Sequence, residues 1–211
     1  MGNYSTLIKL LYPLQVLRAI FHILLFETSP VKSVIEKDIE KWIEELNYTD
    51  YEERPRWRAL VWLLWRKNEF RNLFYYRIAR ERRLFRRILL EIIILFFLPK
   101  KDLYLKADEI GEGFFIQHGY STGIAAQRIG KNCWVNQEVT IGYMDDSNPP
   151  IIGDNVRIAV GARVLGDITI GDNSLIGANS VVIKDVPPNC TVVGVPGYIV
   201  KRDGKRVREE L

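Results

Sequence analysis

The chain has 211 residues, 47% of them hydrophobic and 27% charged, which leaves material for a buried core and excludes a wholly disordered chain. Two cysteines, Cys133 and Cys190, exclude a disulfide-built scaffold and point to a reducing compartment, and two histidines, His22 and His118, exclude a histidine-rich metal centre. Residues 1–100 hold 18 Lys and Arg against 12 Asp and Glu, whereas residues 101–211 hold 12 against 14, so the two halves are expected to do different work.

Residues 1–104 read as a basic, apolar α-helical region. The stretch 7–26 is apolar, but Lys9, Pro13, Arg18 and His22 interrupt it, and the run ending near Pro99 is broken by Glu91. A spanning helix wants about 18 consecutive apolar residues, so neither is expected to cross a bilayer. "SVIE" at 33–36 reads as a capping box, with Ser33 taking a free N–H and Glu36 reaching back. Ile35, Ile39, Trp42, Ile43 and Leu46 then share one helical face. Pro55 suits the first turn of the next helix. "RIARERRLFRR" at 77–87 packs six arginines into eleven residues, which on one helix gives charge nearly all round. No nucleic-acid motif accompanies it. The two readings are internal packing and attraction to an anionic membrane surface, where each basic residue contributes about 1 kcal/mol.

From Ile110 the period changes. An aliphatic residue followed by a small or polar one recurs every six positions: Ile110, Ile116, Ile129, Val135, Ile141, then Ile152, Ile158, Val164, Ile170, Ile176 and Val182. Four positions after most anchors comes a smaller or β-branched residue, such as Cys133, Val156, Ala162 or Ser174. A hexapeptide period is the signature of a parallel β-helix. Three short strands and three corners make a coil of about 18 residues, and stacked coils lie about 4.8 Å apart. Residues 105–200 are therefore expected to form four to five coils, with 201–211 a charged tail. Cys133 falls at a small-residue position and reads as packing. The period breaks twice, between Ile116 and Ile129 and between Ile141 and Ile152. The second insertion, 143–151, must loop out, and breaks in a strict repeat are where function concentrates. His118 lies at the first break.

The stretch from "IGEGFFIQHG" through "VVIKDVPPNCTVVGVPGYIV" resembles the hexapeptide acyltransferases, and within them the serine acetyltransferase branch, which includes polysaccharide O-acetyltransferases. The resemblance covers about residues 105–201. It implies a left-handed parallel β-helix, a homotrimer or dimer of trimers, and acetyl-CoA in a groove between neighbouring prisms, with no metal required. It also implies that a histidine at the position of His118 is the general base for direct attack of an acceptor hydroxyl on the thioester. Imidazole suits that task, because its neutral form persists near neutrality. The Gly142 N–H is a candidate to steady the oxyanion.

Val160, Gly161 and Ala178 match the positions whose small side chains admit the pantetheine arm, and Lys201 and Arg202 are candidates for the CoA phosphates. The sequence departs from serine acetyltransferases where they carry an aspartate before the histidine (here Gln117), a second loop histidine (here Pro149) and an orienting carboxylate (here Leu103, with Asp102 beside it). Gln117, Asn136 and Gln137 offer neutral hydrogen bonds suited to sugar hydroxyls, and Asp145 and Asp146 in the insertion complete the candidate acceptor set. The expected activity is an acetyl-CoA-dependent O-acetyltransferase with a carbohydrate acceptor, cytoplasmic or peripheral at the inner membrane face, without nucleic acid as partner. A serine O-acetyltransferase of cysteine biosynthesis and a non-catalytic trimeric scaffold are the alternatives.

Overall fold

The computed structural model describes residues 12–48, 55–81, 83–145 and 148–211. The chain divides into two compact units, residues 1–99 and 100–211.

The first unit is helical. Residues 12–18 are helical and are followed by α1 (Ile20–Thr28), α2 (Lys32–Glu45), α3 (Arg56–Arg66), α4 (Asn68–Ala79) and α5 (Leu84–Phe96). Helix α2 buries Ile35, Ile39, Trp42 and Ile43, as their spacing requires, together with Asp38. It begins one residue before Ser33, which makes no cap bond. The expected capping box is therefore absent. The serine that acts at this turn is Ser29, whose hydroxyl accepts the Val31 N–H and donates to Glu81. Pro55 caps α3, as its fixed φ favours.

The arginine run is not one solvated helix. Helix α4 ends at Ala79 and α5 begins at Leu84. Arg77 makes a two-pronged pair with Asp38 at 2.9 and 3.1 Å, and Arg86 pairs with Glu81 at 2.7 Å. All four side chains are at least nine-tenths buried. Burying a charge is costly unless it is paired, so these arginines are spent on packing. Arg80, Arg83 and Arg87 stay exposed.

The second unit is a β-helix of five coils. Three parallel sheets form its faces. The first holds β1 (Leu103–Leu105), β4 (Thr122–Ile124), β7 (Thr140–Gly142), β10 (Arg163–Leu165) and β13 (Val181–Val182). The second holds β2 (Glu109–Ile110), β5 (Arg128–Ile129), β8 (Ile151–Ile152) and β11 (Thr169–Ile170), with Val186 bridging to Ile170. The third holds β3 (Phe115–Ile116), β6 (Trp134–Val135), β9 (Arg157–Ile158), β12 (Leu175–Ile176) and β14 (Cys190–Val193).

All eleven anchors read from the period point inward and are at most 5% exposed. Each such burial contributes about 1.5–3 kcal/mol. The apparent gap between Ile116 and Ile129 contains a further anchor, Ile124, fully buried and in register with Ile141. The extra residues of the first break therefore crowd into one corner, 117–121. The first coil also starts earlier than the period suggested, at Leu103, paired with Thr122.

The corner between the second and third faces carries a column of Asn132, Asn155, Asn173 and Asn189. All four have φ between 55° and 60°, the left-handed region that asparagine tolerates. Their amides bond down the column, from Asn155 to Asn173 and Asn173 to Asn189 at 3.0 Å. The charged segment 201–211 is built into the sheet: β15 (Tyr198–Arg202) and β16 (Lys205–Glu210) add to β14 as an antiparallel hairpin.

Candidate active site

The corner between the third and first faces repeats in the first four coils and forms one long edge of the prism. Coil one closes there through residues 117–121, coil two through 136–138, coil three through 159–161 and coil four through 177–179. His118 therefore lies on the same edge as Gln117, Asn136, Gln137, Val160, Gly161 and Ala178. From His118 to Ala178 is three coil spacings, about 14 Å.

His118 is exposed and sits at φ 65°, with Gly119 at 51° and Ser121 at 49°. Left-handed geometry at a histidine is uncommon and marks a corner held by its surroundings. Those surroundings are the start of this unit. Lys100 Nζ donates to the His118 carbonyl at 3.1 Å, lies 3.8 Å from Asp102 Oδ1 and stands 5.7 Å above the Tyr120 ring. The Asp102 carbonyl accepts the Thr122 N–H at 3.0 Å. Leu103 is a buried anchor; the carboxylate beside this corner is Asp102. Lys100 carries no periodic signal, and only the closure of the coil brings it to His118; Tyr120 lies two residues further along the same corner.

Along the edge, Gln117 and Gln137 are half-buried. The Asn136 side-chain oxygen accepts the Trp134 Nε1–H at 2.7 Å. Trp134 itself lies on the outer third face, edge-on to Phe115 and 4.5 Å from the Arg157 guanidinium. Gly161, at φ 71°, leaves no room for a side chain, since an added Cβ would meet Asn179 Oδ1 at 2.1 Å. Cys133 packs inside, its thiol pushed up to about 12 by burial and its Sγ 3.1 Å from the Gly153 carbonyl, so no nucleophile is available there.

Other expected groups stand elsewhere. Gly142 ends β7 on the far border of the first face, where the insertion leaves the prism, and Asp145 follows it at φ 59°. Asp146 lies outside the described residues. The insertion returns through Asn148, which donates to Asp167 at 3.2 Å, and through Pro149, whose carbonyl accepts from Gln127 at 3.0 Å. Lys201 and Arg202 register with Thr191 and Cys190, at the opposite end of β14 from the His118 edge. Arg202 is paired with Glu209. The antiparallel return instead brings Tyr198 beside Val193 at that edge, with the Arg208 guanidinium 5.7 Å from its ring. Among the described residues no group of three or more His, Cys, Asp or Glu is placed to hold a metal.

Residues 149–184 match the family described as bacterial transferase hexapeptide (six repeats). A serine acetyltransferase of Staphylococcus xylosus is 52% identical over 103 residues, covering 47% of this chain and 48% of its own length. One of Synechococcus elongatus is 45% identical over 102 residues, covering 46% and 42%. The chain thus spans about half the length of the curated relatives it matches. Soybean serine acetyltransferase complexed with serine superimposes with a TM-score of 0.62 at 28% identity, over 83% of this chain and 72% of that one. Serine acetyltransferase from Brucella abortus in complex with coenzyme A gives 0.60 at 28%, over 87% and 73%.

Proposed function

The β-helical half carries the fold and repeat of the left-handed β-helix acyltransferases, as its sequence anticipated, and we propose that the chain is an acetyl-CoA-dependent O-acetyltransferase. The carrying observation is the edge that joins His118 to the amides Asn136 and Gln137 of the second coil and to the small corner residues Val160, Gly161 and Ala178 of the third and fourth. The likeness to a coenzyme A complex supports acetyl-CoA as donor. Its fit is tested by the edge itself: Val160 and Gly161 in the third coil and Ala178 in the fourth present no bulky side chain, leaving a strip along which a thin pantetheine arm can lie.

In this reading His118 takes the acceptor's hydroxyl proton, the alkoxide forms its bond to the thioester carbonyl carbon, and the carbon–sulfur bond breaks to release the thiol. Gly142 stands on another corner of the same prism. A trimer would set that corner of one copy against the His118 edge of the next, so the oxyanion donor would come from a neighbour. The Lys100–Asp102 pair holds the His118 corner in place.

The relatives' names favour L-serine as acceptor. A carbohydrate is the second reading, favoured by one observation: the residues flanking His118 along the edge, Gln117, Asn136 and Gln137, are neutral amides, and the loop position aligned with a histidine is the buried Pro149. A carboxylate and an ammonium would want charged partners. Steady-state assays with acetyl-CoA and either L-serine or soluble oligosaccharides decide between them. His118→Ala should lower turnover on the true acceptor by about 10² to 10⁴-fold while leaving CoA binding intact. Retained turnover in that variant would return His118 to a structural role, and no transfer to any hydroxyl would favour a scaffold.

We further propose that the helical unit places the enzyme on an anionic membrane surface. α1 and α5 leave large apolar side chains in solvent, among them Phe21, Phe85, Leu95 and Phe96 at 53, 71, 74 and 75% exposure. Arg83 and Arg87 stand at the start of the same stripe. No described helix is long and apolar enough to cross a membrane; seating in the interface would cover this face.

A further inference from the structure

The third sheet carries an outward row that turns from aromatic to basic down the prism. Its register sets Trp134, Arg157, Leu175, Thr191, Lys201 and Arg206 side by side, one from each strand. Val135, Ile158 and Ile176, next in chain to the first three, are buried anchors, so alternation along the strand points the row outward. From Trp134 to Arg206 the row spans about 24 Å, and it runs parallel to the His118 edge, about 7 Å inside it. Arg157, Lys201 and Arg206 are exposed. Arg208 joins the same side through its contact with the Tyr198 ring. Glu209 lies opposite the buried Ile199 and pairs with Arg202, which leaves Glu210 as the one carboxylate on the outer side of β15 and β16. At the far border of the face the acids are engaged: Glu112 with Lys131 at 3.1 Å, and Asp154 and Asp172 with backbone N–H groups at 2.8 and 2.7 Å.

A straight line of cations is complementary to an extended polyanion. Its aromatic end is continuous with the candidate site, because Trp134 Nε1 donates to Asn136 Oδ1 at 2.7 Å and Asn136 lies on the His118 edge. We propose that the third face seats an acidic oligosaccharide, with its carboxylates against Arg157, Lys201 and Arg206, one sugar ring against the Trp134–Arg157 stack, and the end of the chain entering the His118 edge. Guanidinium groups take carboxylates in two-pronged fashion, and the C–H face of a sugar ring packs on an aromatic one. A bilayer would want apolar side chains to bury, and beyond Trp134 the row offers Leu175 alone. In the trimer proposed above, the first face lies between the two edges that meet neighbouring copies, so it turns inward and the third face stays outside. That the bound chain is also the acetyl acceptor rests on the carbohydrate reading; the binding itself does not.

Isothermal titration of the full chain, without acetyl-CoA, compares an oligogalacturonate with a maltooligosaccharide of the same length and a polyphosphate of the same charge. The oligogalacturonate should bind at least tenfold more tightly than either. Lys201→Gln combined with Arg206→Gln should weaken it at least tenfold, and Trp134→Leu should erase the preference over polyphosphate. Should Trp134→Leu fail to fold, Trp134→Phe serves: Trp134 is the one tryptophan after residue 100, so glycan should change the tryptophan fluorescence of the parent and not of that variant. His118→Ala, and the chain with Arg80, Arg83 and Arg87 replaced by Gln, should bind as the parent does. Equal affinity for the two sugars overturns the proposal, as does tighter binding of polyphosphate, the sign of a nucleic-acid face, or loss of binding through the helical arginines alone. Binding without acetyl transfer keeps the face and counts against this glycan as acceptor, whereas acetylation of a neutral sugar with no oligogalacturonate binding overturns the face and keeps the transferase.

Discussion

Burial first, and the Arg71 guanidinium second, lower the His22 pKa to about 4. In the unfolded chain it returns to about 6.5, so between these values the unfolded state binds the extra proton. Stability from this residue is therefore complete above pH 6.5 and is lost as pH falls toward 4, by about 3 kcal/mol in all. Urea unfolding of the helical unit at pH 7 and 4.5 should show that loss, and His22→Phe should flatten the difference between the two pH values. An unchanged pH slope would mean His22 is accessible to protons in the folded chain. The Asp38–Arg77 pair belongs to the same scale. Asp38→Asn strands a buried guanidinium and should cost about 3–5 kcal/mol, whereas Arg83→Gln, exposed at the start of α5, should stay within about 0.5 kcal/mol. Equal costs would show that the pair is hydrated.

At the scale of the coil, glycines that look alike in sequence have opposite physical roles. A Cβ on Gly130 would lie 2.5 Å from the Gly153 backbone carbonyl carbon, so the next coil could not seat at its proper spacing. A Cβ on Gly142 meets nothing within 4 Å. Gly130→Ala should therefore exceed the usual overpacking cost of about 1–3 kcal/mol. Gly142→Ala should melt within about 0.5 kcal/mol of the parent and keeps the backbone N–H that the proposed oxyanion role uses. Thermal melts followed by circular dichroism check both; a strongly destabilised Gly142→Ala would give that glycine a structural duty instead. The asparagine column makes the same point from the other side. Asn155→Gly keeps the left-handed corner and loses only the amide bonds, while Asn155→Val pays the strain of φ 57° as well, so the valine variant should be the less stable.

For the whole molecule, assembly and location are the open properties. Sedimentation equilibrium should report a trimer or a multiple of it, since the His118 edge and the Gly142 corner do not meet within one chain. A monomer with full activity would refute the shared site. Vesicles containing anionic lipid should capture the protein better than neutral ones, and capture should weaken as salt rises toward 1 M, where the screening length is about 3 Å. Replacing Arg80, Arg83 and Arg87 with Gln should weaken capture and leave the buried pairs of Arg77 and Arg86 intact. Equal, negligible capture on all vesicles would leave the exposed apolar stripe to another surface.

The β-helix was legible in the sequence because its core is a one-dimensional repeat: each anchor meets its own equivalents above and below, so period alone fixes which side chains face in. The helical faces of α2 and the inertness of Cys133 were legible for the same local reasons. Three things needed the tertiary structure. Ile124 hid behind an irregular corner, because pairing with Ile141 and not spacing defines it. Internal packing was one of two readings for the arginine run, and which arginines it takes, 77 and 86, was decided by Asp38 and Glu81, distant or across a break in the helix. His118 was singled out by its break in the repeat and Asp102 by the resemblance, but the bond from Lys100 to the His118 carbonyl, and the separation of Gly142 from it, follow only from the closure of the coils. Periodicity reports contacts between equivalent positions; it is silent on contacts between unlike ones, and charge pairing and site geometry are of the second kind.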